Sequence, residues 1–291
     1  MQRIASRGRN SFTIRTMDPS DTHYIHGTRP EEQKRLSVLN RLLNEASLHQ
    51  MRVRAGETIL DVGSGLGQLT RALARAAGPE GRVVGVERDA EQMEEALRQA
   101  RADGEEDLVE LRVGDAVELP LEDTEWGTFD VVHARFLLEH VPDPAAVVRA
   151  MVRAARPGGR IVLEDDDHDV LRFFPELPET RRLWEAYFRT YASFGRDPYV
   201  GRRLVAMLHE AGAVPTGNTW LFFGSCAGSP NFDPMVANFV GVLEGARGSV
   251  LSAGELTDPE IEAGVSALKD WSRRPDAALW YATCWAEARR P

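Results

Sequence analysis

Three alternating glycines follow an apolar run early in the chain. Residues 58–62 (TILDV) have the composition of a buried strand, and Gly63, Gly65 and Gly67 come directly after it. Glycine adopts left-handed backbone conformations without steric cost, so such a turn lets the backbone approach a ligand closely. A helix that starts at the turn would present N–H groups to the same ligand.

A second apolar run, residues 82–86, ends in Glu87. An acid about 20 residues beyond a glycine turn is placed to hold ribose hydroxyls. The dinucleotide pattern G-x-G-x-x-G requires its third glycine where this chain has Gln68. A phosphate-binding loop would end in G-K-[ST], and that ending is missing here. The spacing therefore disfavours both of these ligand classes.

Asp61 followed by the three glycines resembles the first motif of the class I S-adenosylmethionine-dependent methyltransferases. The resemblance continues in order through VGDA at 113–116, FDVVHARFLLEHV at 129–141 and RPGGRIVLE at 156–164. It implies a doubly wound α/β fold with a mostly parallel seven-stranded sheet. It also implies S-adenosylmethionine as methyl donor and S-adenosylhomocysteine as product.

The resemblance assigns roles to residues at the ends of successive strands. The glycines approach the cofactor, Glu87 holds the ribose, the Asp115 carboxylate accepts from the adenine amine, and the Ala116 N–H faces a ring nitrogen. The predicted cofactor-binding residues are Tyr24, Gln33, Asp61, Gly63, Ser64, Gly65, Gly67, Glu87, Arg88, Asp115, Ala116, Arg135 and Phe136.

Tyr24 and Gln33 flank the start of a helix that Thr28 and Glu31 would cap. This opening resembles the N-terminal lid of small-molecule methyltransferases, in which a tyrosine closes on the cofactor and a polar side chain reaches its carboxylate. The alternative is an ordinary helix lead-in.

Methyl transfer from a sulfonium depends mainly on alignment, so a base is needed only where the acceptor must lose a proton. The two predicted catalytic residues are His140, after the fourth strand, and His168, within the acidic run EDDDHD at 164–169. His140 could instead fix its loop through the backbone. His133 is expected to pack within the sheet.

The acidic run would favour a cationic acceptor or a metal ion if its carboxylates faced the site. A solvated acidic turn is the alternative. Metal-dependent catechol methyltransferases require a further Asp-Asn pair that has no counterpart at the matching position, so no metal ligand is assigned. The run favours a basic or amine-bearing acceptor.

The composition is that of an ordinary globular protein: 291 residues, 43% hydrophobic and 27% charged, with a formal net charge of −10. Negative charge disfavours nucleic acid as a partner. The chain lacks an 18-residue apolar run and a signal-peptide pattern, which predicts a cytoplasmic protein without membrane insertion. Cys226 and Cys284 are expected to be thiols. The oligomeric state stays open, and a homodimer is one alternative.

Strand and helix patterns alternate through the first part of the chain, which predicts a parallel sheet with ligands at its carboxyl edge. The expected strands are 58–62, 82–86, 108–113, 129–133, 160–164, 219–224 and 278–285; the expected helices are 67–77, 89–101, 144–155, 178–195, 197–211, 231–245 and 257–273. The aromatic side chains of 184–194 would either line an acceptor pocket or pack their helix.

The expected organisation is a flexible N-terminus (1–20), an N-terminal helical lid (21–50), a cofactor-binding core (51–167), a helical cap with return helix (168–215), and the last strands with a helical insertion at 231–273 (216–291). The helical insertions follow the fifth and sixth strands.

The predicted function is methyl transfer to a small molecule, with the acceptor atom (O, N or C) left open. A nucleic-acid or protein methyltransferase is one alternative, although an N-P-P-Y tetrad is missing. A non-catalytic or repurposed S-adenosylmethionine binder is another, because alignment catalysis has no unique residue signature.

Overall fold

A seven-stranded sheet forms the centre of the protein. The computed structural model describes residues 43–193 and 195–291. The strands in chain order are β1 Thr58–Val62, β2 Arg82–Glu87, β3 Glu110–Val113, β4 Phe129–Arg135, β5 Ala155–Asp166, β6 Arg172–Phe174, β7 Val214–Phe222, β8 Ser225–Cys226, β9 Ala278–Trp280 and β10 Ala282–Arg289. The helices are α1 (described over 43–51), α2 Gln68–Ala77, α3 Ala90–Ala102, α4 Pro144–Ala154, α5 Pro178–Ser193, α6 Leu204–Glu210, α7 Phe232–Gly245, α8 Arg247–Ser252 and α9 Asp258–Trp271.

The order of the central sheet is β3-β2-β1-β4-β5-β10-β7. Neighbouring strands from β3 to β5 pair in parallel, and β10 runs antiparallel to both β5 and β7. The predicted mostly parallel seven-stranded sheet is therefore confirmed. Parallel strands place the turns after β1, β2, β3, β4 and β5 at one edge, where the motif residues meet.

Both faces of the sheet are covered, which confirms the doubly wound arrangement. One cluster of buried side chains joins α1 and α2 to Ile59, Val131 and Trp285. The other joins α4 and α6 to Leu60 and Val132. Successive residues of a strand point to opposite faces, so an apolar strand such as β1 contributes to both clusters.

A third hydrophobic cluster lies outside the sheet and contains residues of α5, α7, α8 and α9. We call these four helices the cap. Trp184, Tyr187, Phe188 and Tyr191 of α5 are all buried in this cluster. The aromatic face of α5 therefore packs the cap, as one of the two expected alternatives has it; Phe194 lies outside the described residues.

Several details differ from the expected elements. Strands β5 and β7 start earlier than expected, at Ala155 and Val214. A small sheet, β6-β9-β8, takes the first part of the predicted strand 278–285, and its strands of two or three residues are too short to carry a sequence pattern. The predicted helix 197–211 is a 3-10 turn, Val200–Arg203, followed by α6. The short helix α8 lies between the two expected insertion helices.

The predicted N-terminus 1–20 and most of the predicted lid 21–50 lie outside the described residues, as do Tyr24 and Gln33. Over the described ranges, no helix combines the length and the apolar sequence needed to cross a lipid bilayer.

Candidate active site

The glycine turn after β1 is left-handed at each of its three glycines, with φ of 76° at Gly63, 53° at Gly65 and 67° at Gly67. The N–H groups of Gly63 and Ser64 donate to the Val86 carbonyl at 2.8 and 2.9 Å, which ties the turn to β2. A side chain with a Cβ is strained at such φ values. The turn therefore requires glycine and leaves its backbone open toward the sheet edge.

Glu87 at the end of β2 holds the glycine turn through its carboxylate. Its Oε2 accepts from the Gly65 N–H at 3.0 Å, and its Oε1 accepts from the Asp89 N–H at 2.9 Å. Burial raises the pKa of Glu87. The Arg88 backbone also hydrogen-bonds this carboxylate. A carboxylate offers about four acceptor positions, so it keeps capacity for a hydroxyl group of a ligand.

Asp115 and Ala116 lie in the loop after β3, next to Glu87. The Gly114 N–H donates to the Glu87 carbonyl at 3.0 Å, and Asp115 Oδ1 accepts from the Val117 N–H at 2.8 Å. The Asp115 carboxylate thus shapes its own loop through one oxygen and keeps the other as an acceptor.

A cavity of about 320 Å³ connects these turns. It lies near the lower end of the range for small-molecule pockets, roughly 300–1,000 Å³. Ten of the predicted cofactor-binding residues line it: Asp61, Gly63, Ser64, Gly65, Glu87, Arg88, Asp115, Ala116, Arg135 and Phe136. His140 lines it as well, together with Gln68, Gln92, Leu137, Val141 and Pro142, to which the motifs assigned no role.

Gly67 is not among the lining residues. A Cβ at this position would lie 3.5 Å from the Ala96 Cβ, in contact with α3. Gly67 also begins α2 as its N-cap in the left-handed conformation. The structure therefore gives Gly67 a role in helix packing rather than at the cavity wall.

Asp61 is a buried residue of the cavity wall with protein partners on both oxygens. Oδ1 and His133 Nδ1 share a hydrogen bond of 2.8 Å, and the Thr70 hydroxyl donates to Oδ2 at 2.6 Å. Burial alone would raise the pKa of Asp61, but the hydrogen bonds and the neighbouring His133 lower it overall. His133 thus packs within the sheet, as expected, and holds an ionised Asp61.

Arg135 and Phe136 end β4 at the cavity. The Arg135 guanidinium donates to Ser47 Oγ at 3.1 Å and to Asn44 Oδ1 at 2.8 Å, so it fixes α1 beside the cavity. Phe136 has a φ of 51°. A bulky residue at positive φ is strained, and strain of this kind concentrates at functional sites.

His140 and His168 lie on either side of one buried carboxylate, that of Glu139. Glu139 Oε1 is 3.2 Å from His140 Nε2, and Glu139 Oε2 shares a hydrogen bond of 2.8 Å with His168 Nε2. Of the two predicted catalytic histidines, His140 lines the cavity and His168 does not. The linking role of Glu139 was not predicted, although the sequence places it directly before His140.

Burial is the main cause of the shifted pKa values around Glu139. It raises the pKa of Glu139 to about 8, and it raises the pKa of Asp165 and of Asp166 well above the ordinary value, with the nearby Glu139 charge adding to the effect. Burial lowers the pKa of His168. The neutral forms of these groups are therefore favoured.

The acidic run is neither a solvated turn nor an array of carboxylates facing the cavity. Glu164 accepts from the Ser47 and Thr283 hydroxyls, and Asp165 accepts from the Leu137 and Leu138 amides. Asp167 and Asp169 pair with arginines, Arg202 among them. Asp166 alone keeps an unbonded oxygen, so the run no longer supports a basic acceptor.

The fold and the site define a doubly wound domain that binds a nucleoside-type cofactor at the carboxyl edge of its sheet. The family described as "Methyltransferase domain" matches residues 60–163. Demethylmenaquinone methyltransferase from Shouchella clausii is 32% identical over 181 residues, which cover 60% of this chain and 73% of the relative. The corresponding enzyme from Lactobacillus johnsonii is 32% identical over 148 residues, covering 50% and 57%.

Among solved structures, geranyl diphosphate C-methyltransferase from Streptomyces coelicolor A3(2) superposes with a TM-score of 0.52 at 19% identity, covering 92% of this chain and 87% of that chain. At this identity the likeness shows the fold alone. The chain spans about half the length of the first curated relatives it matches.

The chain belongs to the class I S-adenosylmethionine-dependent methyltransferases. The cofactor of this family is S-adenosylmethionine, and the cavity fits it. Gly63 and Gly65, which lack a Cβ, permit close approach of the backbone, while Glu87 and Asp115 keep acceptor positions for hydroxyl and amine donors.

Proposed function

We propose that this chain transfers the methyl group of S-adenosylmethionine to a small-molecule acceptor. The observation that carries the proposal is one cavity lined both by the glycine turn with Glu87 and by His140. The relatives named demethylmenaquinone methyltransferase support a small acceptor. The net charge of −10 supports an acceptor other than nucleic acid.

The proposed donor contacts follow the order of the strands. The glycine turn faces the cofactor with its backbone, Glu87 accepts from the ribose hydroxyls, and Asp115 with Ala116 contacts the adenine. Arg135 and Phe136 lie at the end of β4, where they would contact the amino acid part of the donor. Arg88 and Ser64 complete the wall. Tyr24 and Gln33 stay predictions.

The proposed mechanism is an in-line displacement. When bound, S-adenosylmethionine supplies an electrophilic methyl group, and the protein aligns the acceptor with it. Alignment and exclusion of water can lower the barrier by roughly 7–11 kcal/mol without a dedicated catalytic group.

His140 is the proposed general base for an acceptor that must lose a proton. Its ring lines the cavity, and Glu139 lies 3.2 Å from its Nε2, which orients the ring. His168, enclosed behind Glu139, would act through Glu139 as a positioning residue rather than touch the acceptor.

We propose that the sheet core and the cap, which have separate hydrophobic clusters, have separate roles in binding. The core 51–167 with the strands of 216–291 would bind the donor. The cap helices, which lie within the predicted segments 168–215 and 231–273, would cover the acceptor, whereas α6 of the first segment packs on the sheet. The separate cluster of the cap supports this division.

Calorimetric titration with S-adenosylhomocysteine tests donor binding. We expect saturable binding by the intact protein, strong loss with Glu87→Ala, and unchanged binding with the matched surface control Glu80→Ala. Failure of the intact protein to bind, or equal binding by Glu87→Ala, would overturn the proposal.

A further inference from the structure

A second group of chemically active side chains lies behind the cavity wall. Glu139, Asp166 and His168 bring one ligand-type atom each to within 4.8 Å of one another. Glu139 comes from the turn after β4, while Asp166 at the end of β5 and His168 in the following 3-10 turn lie two residues apart. Within the described ranges, this is the one such group of three or more.

Two of the three side chains are buried and the third is partly exposed. Glu139 is 3% exposed and His168 is 4% exposed, while Asp166 is partly buried. Buried carboxylates require compensation by protons or by a cation, because removal from water penalises the charged form. The buried carboxylates of Glu139 and Asp165 lie close to that of Asp166, beside the buried imidazole of His168.

Two buried atoms of the group lack hydrogen-bond partners. Asp166 Oδ1 and His168 Nδ1 have none among the described residues. Buried polar atoms are nearly always bonded in folded proteins, so two of them in one group point to a missing ligand.

The surrounding side chains hold the three residues in place. The His168 ring lies 5.4 Å from the Trp184 ring and 5.3 Å from the Tyr191 ring, centroid to centroid. Tyr191 hydrogen-bonds Glu139, and Tyr281 hydrogen-bonds Asp166. Such outer hydrogen bonds orient ligands in metal sites. The tight packing suits an ion better than an organic molecule.

We propose that Glu139, Asp166 and His168 bind one divalent cation. Two carboxylate oxygens and one imidazole nitrogen form a mixed O/N ligand set that suits first-row divalent ions such as Mn²⁺. Glu139 would bind through one oxygen while the other still faces His140, so the ion would fix the carboxylate that orients His140. The site does not depend on the proposed methyl transfer.

Titration of untagged, chelator-treated protein with Mn²⁺ alone tests the site, without donor or acceptor. We expect one saturable equivalent by calorimetry, with affinity lowered at least about tenfold by Asp166→Asn and by His168→Gln. Asp169→Asn, in the same acidic run, and His209→Gln, on an exposed helix end, serve as matched controls and should bind like the intact chain.

Pulsed electron paramagnetic resonance of the Mn²⁺-loaded intact protein gives a readout that does not depend on folding of a variant. We expect coupling to a histidine nitrogen. Binding without such coupling overturns the proposal, and so does an absence of saturable binding. Equal affinity in folded Asp166→Asn and His168→Gln proteins would mean that the ion binds elsewhere, and would also overturn the proposal.

Discussion

The Gly65 amide donates a hydrogen bond of 3.0 Å to Glu87 Oε2, across 22 residues of sequence. The bond joins the turn after β1 to the end of the neighbouring strand β2. It fixes the two features of the donor site relative to each other before any ligand binds. A preorganised site of this kind does not lose binding free energy to ordering of the turn.

Glu87→Gln should weaken S-adenosylhomocysteine binding by about 10- to 100-fold, because hydrogen bonds to a charged group contribute about 1.5–3 kcal/mol. The substitution keeps the shape of the side chain and removes its charge. Calorimetry at neutral pH measures the effect, with Glu80→Gln as the control. Less than a threefold change would show that Glu87 only supports the turn.

Gly63→Ala should destabilise the protein and abolish donor binding. Alanine at φ 76° is strained, and its Cβ would lie 3.1 Å from Leu137 Cδ1. The expected loss is about 1–3 kcal/mol in the free energy of unfolding. Urea denaturation measures the free energy and calorimetry the binding.

Gly56→Ala is the matched control for that prediction, because Gly56 has φ 81° with no atom within 4 Å of an added Cβ. Gly56→Ala should lower the free energy of unfolding through backbone strain but bind S-adenosylhomocysteine like the intact protein. Equal loss of donor binding in both variants would contradict a local role for Gly63.

With divalent ions removed by a chelator, the free energy of unfolding should fall as the pH rises, because of the buried Glu139 carboxyl. Its pKa is raised from 4.5 to about 8 in the folded protein, chiefly by burial. The folded state therefore holds a proton that the unfolded state releases between these values, and stability is lost as pH rises through this window, by at most about 1.4 kcal/mol per pH unit.

Glu139→Gln should flatten this dependence. Chemical denaturation of both proteins between pH 4.5 and pH 8 measures it. A slope that persists unchanged in Glu139→Gln would assign the effect to other groups, Asp165 and Asp166 first among them.

His140→Gln should lower kcat by about 10²- to 10⁴-fold for an acceptor that loses a proton, the usual contribution of a general base. The KM for the donor should stay nearly constant, because the proposed role of His140 is to deprotonate the acceptor and not to bind the donor. Steady-state kinetics tests this, with the exposed His49→Gln as control. A kcat within threefold of the intact enzyme would exclude His140 as base.

Sequence patterns predicted those parts of the site that are positioned by the ends of regular strands. Parallel strands end at one edge, so the order of the motifs was sufficient to bring Gly65, Glu87 and Asp115 together. The pattern did not separate a glycine at the cavity wall from one that packs helices. Gly63 lines the cavity and Gly67 does not; an added Cβ would contact Leu137 at Gly63 and Ala96 of α3 at Gly67.

The buried carboxylates depend on contacts between distant segments, which a single sequence does not reveal. The acidic run reads as a charged surface turn, yet Ser47 and Thr283 come from the two ends of the described chain to bond Glu164. Glu139 acquires its environment from Tyr191 of the cap helix α5. Neither pairing leaves a periodic signal along the chain.

The most direct test of the central claim is a single-turnover assay with methyl-labelled S-adenosylmethionine and a small-molecule extract of the organism that encodes the chain. We expect label in the small-molecule fraction with the intact protein, and none with Glu87→Ala. Label that stays on the donor, or that appears only in protein or nucleic acid, would contradict small-molecule methyl transfer.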